Sequence, residues 1–216
     1  MTVPIARIVA IAPHPDDETL GCGGALALHV ARGDDVSVVW LTSGERGIPG
    51  VDPASVAKTR REEARAAIAA LGVTDGTFLG LADGTLSDHR DAAVSRLLTQ
   101  LADRHPTVVY TPHGQEAHRD HSATTAITVE ALRRHADPNV VLFGYEVWSP
   151  HAWPDHSEDV GEVFDQKLAA LACHRSQTAQ VPYRQLAIGL ACFRGAMTLG
   201  CERAESFVAI TWKEDP

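Results

Sequence analysis

IARIVAIAPHPDDETLGCGGALALHVAR, residues 5–32, is the stretch of the 216-residue chain that decides the fold. Residues 5–12 are a short apolar run, rich in β-branched side chains, that predicts a β-strand. A polar segment follows, and the Ala-rich residues 20–32 then have the length of a helix. A strand, a polar turn and a helix in this order predict the first part of a βαβ unit.

The same alternation continues along the chain. Further apolar runs that predict strands lie at residues 36–42, 107–111 and 140–145, with a weaker run at 77–81. Segments that predict helices lie between them, at residues 54–71, 91–104 and 122–135. The alternation predicts a three-layer, Rossmann-like α/β fold, with a mostly parallel sheet and helices on both faces.

The last part of the chain fits this pattern less well. Residues 161–173 look helical, residues 182–199 are ambiguous, and residues 206–212 predict a late strand, for which we expect a sheet edge. No linker or internal repeat divides the sequence. We therefore expect residues 1–216 to form a single domain.

Composition and charge restrict the partners of the chain. The formal net charge is −9 and no run of Lys or Arg offsets it, which argues against nucleic acid and anionic membranes. No segment approaches the roughly 18 apolar residues of a membrane span, and the N-terminal apolar run lacks the basic region of a signal peptide. The four cysteines form no CxxC pair, which favours free thiols in a reducing cytosol. We expect a cytoplasmic protein that acts on a small molecule, with homo-oligomerisation left open.

The polar segment after the first strand carries the first chemical motif. It reads His14-Pro15-Asp16-Asp17-Glu18, with one imidazole and three carboxylates in five positions. Capping of a helix N-terminus explains one or two of the acids. It does not explain His14, or three adjacent acids that repel one another without a cation. The motif therefore predicts a bound divalent cation.

A second motif, His118-Arg119-Asp120-His121, follows the strand at residues 107–111 and begins the next helix. A spacing of three puts His118 and His121 on one helical face, although an exposed polar loop explains this motif equally well. In a doubly wound sheet, ligands bind beyond the carboxyl ends of the strands, where the strand order reverses. If the first and fourth strands are neighbours there, both motifs meet in one crevice. Two histidines and one carboxylate would then leave a coordination position open, as catalytic zinc requires.

Together the two motifs resemble those of the PIG-L/LmbE-like deacetylase family, whose members remove N-acetyl groups from N-acetylglucosamine conjugates. Weaker matches, which extend the resemblance over nearly the whole chain, begin at Thr59 (TRREE), Tyr145 (YEVW), His174 (HRSQ) and Arg203 (RAESF). The resemblance implies a zinc-dependent hydrolase that removes an N-acetyl group from an amino-sugar-type substrate by attack of a metal-activated water. Fe²⁺ is the alternative ion for the same ligands.

The resemblance also implies roles for residues of both motifs. His14, Asp17 and His121 would bind the metal. Asp16 would be the general base, and His118 would stabilise the oxyanion and protonate the leaving amine. These are the groups that such a hydrolysis needs, because an amide is a poor electrophile and water a poor nucleophile.

Other residues receive supporting roles. Asp120 would orient His118 and raise its pKa, and Arg60 would contact a substrate hydroxyl. Trp148 would either stack on a sugar ring or cover the edge of the core. Arg119 stands where many relatives have proline, which puts the shape of this loop in doubt. Substrate specificity would come from the loops at residues 44–52, 82–88 and 149–160, but no motif in them identifies the substrate.

Three other functions are compatible with the sequence to different degrees. The same ligand set could hold iron in an oxygenase, although such sites usually lie in β-rich barrels. A non-catalytic metal- or sugar-binding module would not need the additional carboxylate of Asp16. A Cys/His hydrolase is disfavoured, because no cysteine has an obvious histidine partner. The glycine-rich segment at residues 21–24 lacks the lysine of a phosphate-binding loop, so we expect close helix packing or a tight turn there.

Overall fold

The predicted alternation of strands and helices is present in the computed structural model, which describes residues 5–213. The strands are β1 (Arg7–Ala12), β2 (Asp35–Thr42), β3 (Asp75–Leu81), β4 (Val108–Pro112), β5 (Val141–Tyr145), β6 (His156–Asp159) and β7 (Ala204–Ala209). The helices are α1 (Asp17–Arg32), α2 (Pro53–Ala70), α3 (Arg90–Arg104), α4 (Arg119–His135), α5 (Phe164–Leu171), α6 (Arg175–Thr178) and α7 (Tyr183–Arg194). Residues 1–4 and 214–216, which the single-domain prediction includes, lie outside the described residues.

The strands form one sheet in the order β3-β2-β1-β4-β5-β7-β6. β1 pairs in parallel with β2 on one side and with β4 on the other. The chain thus runs outward from β1 to β3 and then returns to start a second run at β4. The strand order reverses between β1 and β4, which is where an open α/β sheet binds its ligands.

Two apolar cores lie on the opposite faces of the sheet. β1 supplies Ile8, Ala10 and Ala12 to the core that includes α1 and α2. Val9 and Ile11 belong to the core that includes α3 and α4. Because successive strand residues point to opposite faces and both faces are covered, β1 is apolar without a break from Ile8 to Ala12. The predicted three-layer, Rossmann-like fold is confirmed.

The C-terminal part differs from the prediction. β7 is antiparallel to both β5 and β6, so the late strand lies inside the sheet and the expected edge position is wrong. β6 occupies the edge instead, and its four residues, HSED, have none of the apolar alternation that identifies a strand. The ambiguous segment contains α7, followed by a π-helical turn at Gly195–Leu199.

Helix α1 begins inside the first motif and is irregular one turn later. Cys22 has a non-helical φ of −140°, which interrupts the helix. The carboxylate of Glu205 accepts hydrogen bonds from the amides of Gly24 and Ala25, both at 2.8 Å. Nζ of Lys167 donates to the carbonyl of Leu20 at 2.7 Å and also contacts Glu205. A buried ion pair therefore satisfies the backbone groups around the interruption.

The glycine-rich segment at residues 21–24 lies within α1, where it packs closely against the sheet. A Cβ atom on Gly21 would lie 2.1 Å from the ring of Tyr145, so only glycine fits there. Of the two expected arrangements, the structure shows close helix packing. Among residues 5–213, no helix has the combination of length and apolar character that a membrane crossing needs.

Candidate active site

The two sequence motifs meet beyond the carboxyl ends of β1 and β4. The ring of His14 has its centroid 5.0 Å from that of His118 and 5.5 Å from that of His121. One ring nitrogen of each of these three histidines lies within 4.8 Å of the other two. Because β1 and β4 are adjacent, the connections that follow them open into the same crevice.

Asp17 lies between two of these imidazoles. Its Oδ2 is 3.0 Å from Nδ1 of His14 and 3.3 Å from Nε2 of His121. Burial would lower the pKa of His121, but the carboxylates of Asp17 and Glu116 together outweigh it and raise this pKa to about 9. The pKa of His14 is also raised, against burial, by Asp120, Asp17 and Asp83.

This environment favours positive charge at both imidazoles. A divalent cation can supply that charge in place of protons. Two imidazoles and a carboxylate are also donors that zinc and iron accept. The donor set of His14, Asp17 and His121 is therefore compatible with a metal cofactor.

Asp16 lies beside this cluster in a strained backbone conformation. Its φ is 117°, which is uncommon for a residue other than glycine. It is the N-cap residue of α1, yet its side chain makes no capping hydrogen bond. Burial raises the pKa of Asp16 to about 7, although the guanidinium of Arg60 opposes the shift. Capping therefore does not account for this carboxylate, which is poised to titrate near neutral pH.

The third acid of the first motif, Glu18, points away from the crevice. It is fully buried and accepts hydrogen bonds from Nε1 of Trp40 and Oγ1 of Thr19, each at 2.8 Å. Burial raises the pKa of Glu18 to about 7. This residue belongs to the interior of the fold.

The contacts of Asp120 differ from those expected. Its carboxylate accepts hydrogen bonds from the amides of Gly84 at 2.6 Å and Leu86 at 3.3 Å. The backbone amide of Asp120 donates to Nδ1 of His118 at 3.3 Å, and within residues 5–213 no hydrogen bond joins its carboxylate to that ring. Burial, together with His14 and His121, lowers the pKa of His118; Asp120 acts to raise it, as expected, but is outweighed.

A comparison with known proteins connects this geometry to a family. The family model described as PIG-L, GlcNAc-PI de-N-acetylase, matches residues 9–132, a segment that includes both motifs and more than half of the chain. The chain belongs to the PIG-L family. The resemblance inferred from the two motifs is thereby confirmed.

Individual PIG-L relatives and structural neighbours add detail. A 1D-myo-inositol 2-acetamido-2-deoxy-alpha-D-glucopyranoside deacetylase of Mycobacterium sp. (strain JLS) is 30% identical over 239 residues, covering 84% of this chain and 77% of the relative. The N,N'-diacetylchitobiose deacetylase of Pyrococcus horikoshii superposes with a TM-score of 0.85 at 23% identity, covering 96% of this chain and 85% of that one.

The PIG-L fold also occurs in a protein with a different named reaction. The 4-carboxy-2-hydroxymuconate hydratase GalB of Pseudomonas putida superposes with a TM-score of 0.80 at 23% identity, covering 97% of this chain and 98% of that one. The likeness to such structures shows the fold alone. The reaction of this PIG-L member therefore has to be argued from its side chains.

The site of this PIG-L member opens into a cleft of about 290 Å³. Its lining consists of residues from several loops and helices: His14, Asp16, Asp17, Arg46, Gly47, Arg60, Asp83, Gly84, His118, His121, Trp148, Gln177 and Tyr183. Trp148 is 42% exposed, and its ring centroid lies 5.7 Å from that of Tyr183. An aromatic wall thus faces the cluster of acids and imidazoles.

Arg60 reaches the cleft, but most of its donors are already engaged. One terminal nitrogen donates to the carbonyl of Pro15 at 2.6 Å and lies 3.3 Å from Oδ1 of Asp16. The other donates to the carbonyl of Gly44 at 2.9 Å. In this structure Arg60 holds the first motif, and its contact with substrate stays a prediction.

Two acids of the site were not identified from the sequence. Oδ1 of Asp83 lies 3.1 Å from Nε2 of His14, closer than Oδ2 of Asp120 at 3.4 Å. Glu116 lies in the connection that leads to His118 and is buried beside His121. Each is an isolated acid in a loop. Only the position of Asp83 just after β3 could have drawn attention to it.

Proposed function

We propose that this PIG-L member is a metal-dependent deacetylase that hydrolyses the N-acetyl group of an amino-sugar-type substrate such as an N-acetylglucosamine conjugate. The observation that carries the proposal is the pairing of two different carboxylates. Asp17 lies between two imidazoles, whereas the adjacent Asp16 has a pKa near 7 and no capping role. A binding module needs only the first of these, but a hydrolase needs both. The relative named for a 2-acetamido-2-deoxyglucopyranoside supports the substrate class.

His14, Asp17 and His121 would hold the metal, with Zn²⁺ as the proposed ion and Fe²⁺ as the alternative. When bound, such a metal lowers the pKa of a coordinated water to about 7 and polarises the substrate carbonyl. All three side chains are at least nine-tenths buried, and all three line the cleft.

Asp16 would act as the general base. Burial raises its pKa, and a carboxylate with a raised pKa is a stronger base toward the attacking water than one of ordinary pKa. Arg60, 3.3 Å from Oδ1, keeps the carboxylate oriented and limits the rise of its pKa. As the water oxygen bonds to the carbonyl carbon, its proton passes to Asp16.

His118 would complete the reaction. Its Nδ1 accepts a hydrogen bond from the Asp120 amide, so the neutral ring carries its N–H on Nε2, from which it would donate a hydrogen bond to the developing oxyanion. Collapse of the tetrahedral intermediate breaks the C–N bond and releases acetate and the amine. To protonate the leaving nitrogen, His118 would first take up a proton and then deliver it from Nε2 as the C–N bond breaks, and the proton that Asp16 took from the water balances this transfer. The lowered pKa of His118 makes the protonated ring a stronger acid in this step.

Trp148 would provide a platform for the sugar. A ring that is 42% exposed at the wall of a polar cleft has one face free to stack on the apolar face of a pyranose. Tyr183 supports it from the side, at a centroid distance of 5.7 Å.

An acetate-release assay over a panel of N-acetylated sugars tests the proposal. The protein is stripped with chelator and then assayed metal-free, with Zn²⁺, and with Fe²⁺ in the presence and absence of oxygen. We expect acetate and free amine in equal amounts, only with metal and independently of oxygen. Oxygen-dependent turnover would indicate the oxygenase instead. Sugar binding by the metal-loaded protein without any acetate would indicate a binding module.

A further inference from the structure

The carboxylate of Glu116 is buried at the back of the cleft and holds a loop. Its Oε1 accepts hydrogen bonds from three successive backbone amides, those of Val147 at 2.6 Å, Trp148 at 3.0 Å and Ser149 at 3.3 Å. The side chain is fully buried. Glu116 therefore fixes the segment that carries the aromatic wall of the cleft.

The other oxygen of the same carboxylate, Oε2, also accepts a hydrogen bond from the Trp148 amide, at 3.1 Å, and it faces a proposed metal ligand. Oε2 of Glu116 lies 3.6 Å from Nδ1 of His121. This nitrogen is buried and has no hydrogen-bond partner. The neighbouring His113 is 3.5 Å from Oε1, but its ring is engaged with the carbonyl of Ser149 at 2.6 Å. A shift of a few tenths of an ångström would bring Glu116 and His121 into hydrogen-bond contact.

The two proposed histidine ligands share one arrangement. Nδ1 of His14 and Nε2 of His121 both face Asp17, and in each ring the second nitrogen faces another carboxylate. For His14 that carboxylate is Asp83, at 3.1 Å, and for His121 it is Glu116. Histidines that bind metals almost always donate their other N–H to such a group, which fixes the tautomer and the ring orientation.

We propose that Glu116 is a positioning residue that acts at two places at once. It holds His121 in the tautomer that presents Nε2 to the metal, and it holds residues 147–149 so that Trp148 faces the cleft. This inference rests on the proposed metal site. Through its single side chain, Glu116 would couple the orientation of the metal ligand His121 to the position of Trp148, on which the sugar would stack.

The variant Glu116→Gln separates these two tasks. The amide oxygen can still accept the three hydrogen bonds that Oε1 receives from residues 147–149, so the loop loses only the second contact of the Trp148 amide, to Oε2. The amide nitrogen then faces the N–H of His121, which cannot accept a hydrogen bond. We expect Zn²⁺ affinity, measured by competition with a chromophoric chelator, to fall about 10- to 100-fold.

Glu63→Gln is the matched control. Glu63 also holds a segment at the cleft, the short helix α6, since it accepts hydrogen bonds from the amide and hydroxyl of Ser176 at 2.8 and 2.6 Å, but it is paired with no proposed metal ligand. Its Zn²⁺ affinity should equal that of the wild type. Equal affinity of Glu116→Gln and Glu63→Gln would overturn the inference and leave the metal site standing. A wild-type protein that binds no Zn²⁺ would instead remove the proposed function itself.

A second measurement needs no variant. In the Zn²⁺-loaded wild-type protein with ¹⁵N-labelled histidine, we expect the NMR signals of His121 to show a protonated Nδ1 and a metal-bound Nε2. The opposite tautomer would overturn the role of Glu116, because a deprotonated Nδ1 has no proton to donate to a carboxylate.

Discussion

At the scale of single residues, the site depends on neighbouring carboxylates that have opposite environments. Asp17 is flanked by imidazoles, which lower its pKa against the effect of burial. Asp16 has a pKa raised to about 7 by burial. The sequence places the two side by side, but only the fold shows which one faces the histidines. We assign Asp17 as the metal ligand and Asp16 as the general base because of that difference.

The substitution Asp16→Asn tests the proposed base. Asn tolerates the positive φ of this position, so the backbone should keep its conformation. We expect kcat for acetate release to fall by about 10²- to 10⁴-fold, because the proton acceptor is lost. The Zn²⁺ content, measured by atomic emission, should stay at the wild-type level. A variant that loses its metal would show that the base and ligand roles are misassigned.

A second prediction distinguishes the two histidines of the second motif. Nitrogens of His14, His118 and His121 are mutually within 4.8 Å, so their proximity does not by itself say which of them bind metal. We expect His121→Ala to lose Zn²⁺. His118→Ala should retain it, while kcat falls by about 10²- to 10³-fold because an oxyanion donor is missing. If His118→Ala instead lost Zn²⁺ and His121→Ala retained it, His118 would be the metal ligand and His121 the oxyanion donor.

Local sequence identified the residues that come in clusters and missed those that stand alone. The His14 to Glu18 and His118 to His121 motifs concentrate polar groups that an ordinary turn does not need. Asp83 is one acid in a loop, and it reaches His14 only because β3 belongs to the same parallel sheet. Glu116 is likewise made significant by residues 147–149, which are distant in sequence.

At the scale of elements, helix α1 determines how the first motif is presented. Its interruption at Cys22 is stabilised from distant parts of the chain by Lys167 and Glu205. This explains the glutamate in the Arg203 to Phe207 match, which had no role at the level of sequence. The strands and helices from β1 to α4 were predictable from the period and length of their apolar patterns, whereas β6 has no apolar pattern that identifies it as a strand.

Replacement of Lys167 tests the support of α1. Lys167→Met would leave Glu205 as an uncompensated charge in a buried position and leave the Leu20 carbonyl without its donor. We expect the free energy of unfolding, from urea denaturation, to fall by about 3–5 kcal/mol. A loss under about 1 kcal/mol would contradict the support that we assign to the pair.

Two glycine substitutions in helices test the packing of α1 against β5. Gly21→Ala would bring a methyl group into the ring of Tyr145, and we expect it to destabilise the protein by about 1–3 kcal/mol. Gly189→Ala on α7 meets no atom within 4 Å and should be neutral or stabilising by up to about 1 kcal/mol. Equal denaturation midpoints for the two variants would contradict the close contact.

At the scale of the whole molecule, topology brings the chemistry together. The two motifs are about a hundred residues apart, and they meet because β1 and β4 are parallel neighbours at the reversal of strand order. The sequence predicted the α/β alternation. It also predicted that the two motifs would meet if the first and fourth strands were neighbours. It could not supply the width of the cleft or its aromatic wall, since both depend on loops without a regular pattern.

The most direct test of the central claim is an anomalous difference map from crystals of the Zn²⁺-loaded protein, recorded at the zinc absorption edge. We predict one peak per chain, at about 2.0–2.3 Å from a ring nitrogen of His14, a ring nitrogen of His121 and a carboxylate oxygen of Asp17. A map without a peak between these side chains, or with the metal bound elsewhere, would contradict it.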